Sequence, residues 1–268
     1  MTPYRKLVLS AVAALLVAAC ATAPYTQRSQ LILLSEPQEM ALGADAYREA
    51  LAKAKVVRDP QVVGLVADVG QRIAAVAAKP GYRWEFTVVD DPKQANAFAL
   101  PGGKVAVYTG IFPVARDSAG LAAVIGHEVA HAIARHGAER MSQGLVAEVA
   151  GTGLAVGLGS YSPATQTAVM QAFGLGVQVG HMLPFGRAQE SEADHIGLIL
   201  MAQAGYDPAA AVDLWRRFEA GGSSGPPEFL STHPSYGTRI QQIQNWLPEA
   251  QSYYRPANAA AIKALPKA

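Results

Sequence analysis

The sequence predicts an α+β, mostly helical domain with a small β-sheet whose edge strand lines an active-site cleft. Leu121, Val124, Ile125, Val129 and Ile133 recur at helical spacing, and Ile196, Leu198, Ile199 and Leu200 follow the acidic start of a second helical segment at Gln189. Lys104 to Thr109 alternates like a strand, and Pro101-Gly102-Gly103 is a turn signal joining it to Ala97–Leu100. Half of the chain is apolar, so the roughly 220 residues between its two ends suffice for one large core. The formal charge is +1 with no basic run, which argues against a nucleic-acid partner.

The first helix is bounded by Asp117 or Ser118 as its cap and by Gly137 as its stop, with Arg135 and His136 at the negative end of the dipole. Its middle reads His127-Glu128-Val129-Ala130-His131. Residues four apart share a helix face, so both imidazoles can reach a single metal ion. Glu128, one position on, can contact a metal-bound water without ligating the metal itself. With only 6 His in 268 residues, chance is a poor source of this string. On a buried face, two unpaired imidazoles would be costly, and a metal is one way to satisfy both.

A hydrolytic zinc keeps three protein ligands and leaves a fourth position open. By spacing, the suggestive carboxylates are Glu190, Glu192 and Asp194. Glu190 and Asp194 share a face while Glu192 points elsewhere; one carboxylate could bind the metal and the other accept the free ring N–H of a ligand histidine. Acids at a helix start equally suit a solvated first turn. His136 lies nine residues after His127, half-way round an uninterrupted helix and away from the metal. It is read as structural, as are His181 and His195. His233 precedes Pro234 and taken alone is a turn element.

Four stretches in order carry a resemblance covering residues 31 to 250. They are Asn96-Ala97-Phe98-Ala99-Leu100-Pro101-Gly102-Gly103, the run from Leu121 to His131, the run from Leu183 to Asp194, and Ser231 to Ile240. Together they resemble the zinc peptidase family, a gluzincin group, that contains HtpX, the CAAX prenyl proteases and the mitochondrial Oma protease. The resemblance implies a zincin-type catalytic domain holding one Zn²⁺ through His127, His131 and Glu190, with Glu128 as general base. It also implies Asp194 as partner of a ligand histidine, and His233 and Arg239 beside the zinc. His233 would stabilise the oxyanion or cap the resting metal. Zincins bind peptide in extended form along a sheet edge, here Asn96, Ala97 and Phe98, where unpaired backbone groups read no sequence. One departure is Gly186, where the family pattern leads us to expect serine; it puts a local hydrogen bond in doubt.

The ends carry separate expectations. Arg5 and Lys6 precede an apolar run from Leu7 to Ala19, too short to span a bilayer, and Val17-Ala18-Ala19-Cys20 resembles a bacterial lipobox. Residues 1–19 then form a lipoprotein signal peptide, Cys20 takes a lipid, and residues 20–30 are a polar tether. Cleavage would shift the formal charge from +1 to −1 by removing Arg5 and Lys6. Ala21 resembles an outer-membrane address, so the expected location is the periplasm, anchored to the outer membrane. Residues 251–268 read as a loose tail. Residues 145–183, rich in Gly, Ala, Val and Leu, read as two small-residue helices over the active-site helix, the second starting at Pro163. The implied function is a zinc endopeptidase acting on unfolded or misassembled envelope proteins, with outer-membrane assembly machinery as a partner. The alternative is a metal-stabilised, chaperone-like assembly factor with little or no proteolysis. A prenyl-protein protease fits less well, since no spanning segments are read.

Overall fold

The computed structural model describes residues 20–152, 186–220, 238–255 and 259–266. A hairpin of β1 (Cys20–Thr22) and β2 (Ser29–Leu31) comes first, with Cys20 opposite Leu31. Helices α1 (Glu36–Leu51) and α2 (Pro60–Val76) follow. Asp59 caps α2 by accepting the Gln61 N–H at 2.8 Å, and Pro60 occupies a first-turn position that needs no donor. The central sheet holds β3 (Glu85–Val89), β4 (Ala97–Leu100) and β5 (Lys104–Tyr108) in the order β3-β5-β4. β5 runs parallel to β3 and antiparallel to β4. The β4–β5 turn is Pro101-Gly102-Gly103, with φ of +88° and +84° at the two glycines, values that side chains rarely tolerate. β4 is thus an edge strand of this sheet. The short α3 (Phe112–Ala115) leads into α4 (Ser118–Ile133) and α5 (His136–Thr152). After these come α6 (Arg187–Gln203), α7 (Ala209–Ala220) and α8 (Arg239–Tyr253). The class is α+β and mostly helical, as the sequence predicts.

α4 is the central element. Every residue from Ser118 to Ile133 is buried, because β4 covers one side and α2, α6 and α7 cover the others. Its apolar stripe therefore understates its burial: the helix is enclosed all round, and His127, Glu128 and His131 are enclosed with it. Asp117 caps the start by accepting from the N–H groups of Ala119 at 2.9 Å and Gly120 at 3.0 Å.

α4 and α6 cross where glycine meets glycine. A Cβ on Gly197 would lie 2.9 Å from the His127 nitrogen, and one on Gly126 would lie 3.0 Å from the Gly197 oxygen. The absence of both side chains lets the backbones approach closely enough for donors on the two helices to meet.

Three expectations are corrected here. Gly137 does not stop the first helix. α4 ends at Ile133, Arg135 takes the left-handed conformation at φ +61°, and Gly137 lies inside α5. A non-glycine residue at such an angle costs about 1–3 kcal/mol, and here its side chain supplies compensation. Arg135 donates from Nε to buried Glu39 at 2.7 Å and from Nη2 to the Leu34 carbonyl at 2.7 Å. Residues 20–30 are a folded hairpin, not a tether: Ala23 is fully buried, and buried Gln30 donates to the Ala134 carbonyl at 2.9 Å. Within the expected loose tail of residues 251–268, residues 259–266 are docked. Ala260 and Leu265 are buried, the Lys263 carbonyl accepts the Ser118 N–H at 2.8 Å, and Ala264 bridges Asp117. Backbone donors at a buried helix start need acceptors, and this tail supplies one.

Residues 1–19 and 153–185 lie outside the described residues, so the signal peptide and most of the small-residue region do too. Among the described residues, no helix is long and apolar enough to cross a membrane.

The glycine crossing yields a paired prediction. Gly197→Ala should cost about 1–3 kcal/mol in urea unfolding, because both nearby groups are backbone and something must shift. Gly64→Ala lies inside α2 where an added Cβ meets nothing within 4 Å, so it should gain about 0.5–1 kcal/mol. Equal effects at the two sites would remove the close crossing as a constraint.

Candidate metal centre

Two turns of α4 and the first turn of α6 build the site. His127 and His131 face α6, whose Glu190 is fully buried. The Nε2 atoms of the two histidines lie 3.1 Å apart. Glu190 approaches His127 Nε2 with Oε2 at 3.5 Å and His131 Nε2 with Oε1 at 3.4 Å. A tetrahedral zinc with bonds of about 2.0–2.1 Å places its donors about 3.3 Å apart. The three observed separations bracket that edge length, and the donor set, two imidazoles and a carboxylate, is one that zinc takes. The residues fit one zinc ion.

Each ligand histidine is held from behind. Asp194, one turn after Glu190, lies with Oδ1 at 2.9 Å from His127 Nδ1. With Nε2 on the metal, the ring proton sits on Nδ1 and is donated to Asp194. Arg239, the first residue of α8 and only 1% exposed, binds this carboxylate through Nη2 at 2.8 Å and Nε at 2.7 Å. Its Nη1 reaches Glu190 Oε2 at 3.1 Å, and its guanidinium lies 3.3 Å over the Trp215 ring. Arg239 thus stands behind the ligands, against Glu190 and Asp194.

The second ligand has a support that the sequence reading placed elsewhere. His136 was expected half-way round the helix from the metal. Because the chain breaks at Ala134–Arg135, its ring turns back, and His136 Nδ1 lies 2.8 Å from His131 Nδ1. Its Nε2 lies 2.9 Å from Glu192 Oε2, although Glu192 was read as pointing away from the centre. Glu192 also accepts from Thr26 and, at 2.7 Å, from Arg28 Nε, both in the N-terminal hairpin. Arg28 further holds Glu139 through Nη1 at 2.7 Å and Nη2 at 2.8 Å, and Gln189 donates to Glu139 at 2.7 Å. The His131-to-His136 spacing was visible in the sequence. The helix break that makes it matter was not, since it falls on an arginine.

Charge states follow these contacts. Burial holds His131 well below the usual imidazole value and also lowers His136, so both are neutral at pH 7. Burial pushes His127 down as well, but hydrogen bonds to Asp194 and Glu190 outweigh it and raise the group overall. Burial would raise Glu192, yet His136, Thr26 and Arg28 together hold it at about 2.

Other expected residues fall as follows. Glu128 is buried at 3% exposure beside His127. Asn96 and Ala97 are buried at the start of β4, with Asn96 Oδ1 accepting the Ala97 N–H at 2.9 Å. Phe98 packs edge-on to Tyr47. Ala99 and Pro101 border the same small cavity as His131 and Ala132. His195 binds Glu249 at 2.7 Å and stacks on Trp246, away from the metal ligands. Gly186 is the residue preceding α6, at φ −63° with no side-chain cap, so the hydrogen bond that a serine would make is absent here. His181 and His233 lie outside the described residues.

Replacing a ligand separates metal binding from folding. Glu190→Gln should lower zinc content after dialysis, measured by metal analysis, while Glu192→Gln, which His136 and His131 separate from the ion, should retain more. Full zinc retention by Glu190→Gln would move the third ligand to another residue.

Comparison with known proteins agrees with this geometry. Residues 60–247 match the model of peptidase family M48. The mitochondrial metalloendopeptidase OMA1 of Schizosaccharomyces pombe is 40% identical over 85% of this chain and 66% of its own length. OMA1 of Saccharomyces cerevisiae is 32% identical over 90% of this chain and 72% of its own. The beta-barrel assembly-enhancing protease of Escherichia coli is 30% identical over 79% of this chain but 44% of its own. The chain thus spans from under half to under three quarters of the length of these relatives. They overturn the expected periplasmic, lipid-anchored, outer-membrane location: the more similar relatives bear a mitochondrial name. That expectation rested on a short apolar run and one cysteine, a far smaller pattern than the resemblance over most of the chain. With the HExxH helix, the Glu190 donor and the family match over residues 60–247, the chain belongs to peptidase family M48.

Proposed function

We propose that this chain is a zinc-dependent endopeptidase that cuts unfolded or misassembled polypeptides, a quality-control activity. The observation that carries the reading is the triangle of His127, His131 and Glu190 with a buried non-ligand carboxylate, Glu128, next in sequence to the first donor. Zinc held by these three ligands supplies a Lewis acid and, from water, a nucleophile at neutral pH. Glu128 accepts the proton of the attacking water on its carboxylate and returns it to the departing amine nitrogen. Asp194 keeps the His127 ring proton on Nδ1, and Arg239 balances the charge of Glu190 and Asp194. His233 is assigned as a donor toward the oxyanion.

The substrate class follows from β4. An edge strand offers backbone N–H and C=O groups to an extended peptide, so affinity does not depend on sequence. We assign Asn96, Ala97 and Phe98 as this edge. It suits unfolded chains, whose backbone is free to extend, whereas most of a folded protein's backbone is engaged in its own helices and sheets. Two relatives named beta-barrel assembly-enhancing protease support misassembled β-barrel proteins as clients, and a partnership with the machinery that assembles them. A chaperone-like holder would have no need of a buried base beside the metal.

A digest of an unfolded protein such as casein, with and without chelator, tests the activity; cleavage insensitive to zinc removal would sink it. Glu128→Gln should lower the rate about 10²–10⁴-fold with zinc still bound, and zinc loss from that variant would contradict the assigned role. His233→Ala should reduce kcat about 10²-fold or more with little change in KM. Raised activity would instead identify His233 as a cap on the resting metal, and unchanged kinetics would leave the His-Pro pair as a turn.

A further inference from the structure

We propose that His136 is a positioning residue for zinc: it accepts the Nδ1–H of His131, is itself held by Glu192, and through Glu192 ties the metal centre to Arg28 of the N-terminal hairpin. The inference rests on the zinc site and not on proteolysis.

Proton bookkeeping along the chain of contacts leaves one arrangement. His131 offers Nε2 to the shared donor triangle, so a neutral ring carries its proton on Nδ1. Two ring nitrogens 2.8 Å apart need one donor and one acceptor, which makes His136 Nδ1 the acceptor. The His136 proton then sits on Nε2, where Glu192 Oε2 is 2.9 Å away. That oxygen is an acceptor only, and Arg28 Nε and Thr26 Oγ1 complete its carboxylate. The ring of His136 is fully buried.

The site therefore holds two supports of the same logic and different length. His127 is backed by Asp194 and then Arg239. His131 is backed by His136, then Glu192, then Arg28. In each, a carboxylate makes the ligand it serves more basic, and an arginine holds that carboxylate in place. The interposed imidazole spans the gap between α4 and the second turn of α6 that a carboxylate alone leaves.

The test measures zinc affinity by competition with a chromogenic chelator, alongside thermal unfolding of the zinc-free protein. His136→Phe keeps a ring but has no acceptor, and should weaken zinc binding about 10–100-fold. His136→Asn puts a carbonyl oxygen near the position of Nδ1 and should recover most of that loss. In ¹H–¹⁵N spectra of the zinc-loaded protein, His136 should be the Nε2–H tautomer. Unchanged affinity in His136→Phe, equal weakening by Phe and Asn, or an Nδ1–H tautomer at His136 would each overturn the proposal. Should His136→Phe fail to fold, Glu192→Gln carries the same test. It should lower affinity about 10-fold, and wild-type affinity in that variant would equally overturn it.

Discussion

The close approach of α4 and α6 at Gly126 and Gly197 is the contact on which the rest of the structure depends. The metal donors come from two helices that are far apart in sequence, and imidazole and carboxylate arms are short. Only a crossing in which backbone meets backbone brings Glu190 within 3.5 Å of both histidines. The same crossing places Asp194 behind His127. A residue with a side chain at either glycine would have to push one helix outward, and the donor triangle would open with it.

Once the helices meet, the problem becomes electrostatic. His127, His131, His136, Glu128, Glu190, Glu192, Asp194 and Arg239 are all buried in one region. Buried charge is tolerated when each group has a partner, and the structure provides partners along separate lines. Arg239 serves Glu190 and Asp194, Arg28 serves Glu192 and Glu139, and Arg135 serves Glu39. Each arginine offers several donors in a fixed fork and can bind more than one acceptor without deprotonating. This is why both Arg28 and Arg239 sit where two acidic side chains converge.

Features legible in the sequence were those with a local signature. The His127–His131 pair needs only helical periodicity, the Pro101-Gly102-Gly103 turn only its glycines, and the Asp117 cap only its side chain. Glu190 was one of three carboxylates by spacing, and it took the family resemblance to single it out. What spacing misjudged was set by contacts across long separations. Arg28 carries no sign of its partners Glu139 and Glu192, more than a hundred residues on. Ala260 and Leu265 stand in an Ala-, Pro- and Lys-containing segment whose composition hides a docked tail. The α4–α5 break was invisible because an arginine, not a glycine, takes the left-handed angle, and a stop placed two residues late turned His136 from a ligand's neighbour into a bystander.

The N-terminal hairpin and residues 259–266 converge on the ends of the helix that carries the HExxH string. At its start, orphan N–H groups are met by Asp117 and by the Lys263 carbonyl. At its finish, the Ala134 carbonyl accepts from Gln30 in the N-terminal hairpin. A helix enclosed all round cannot leave its terminal backbone groups to water, so burial of the metal centre itself demands partners there. The hairpin meets that demand and, through Arg28 and Thr26, also fixes Glu192. The segment that finishes the helix is therefore the segment that anchors the outer support of His131. Backbone satisfaction and metal-ligand orientation share one structural element, and loosening the hairpin would disturb both together.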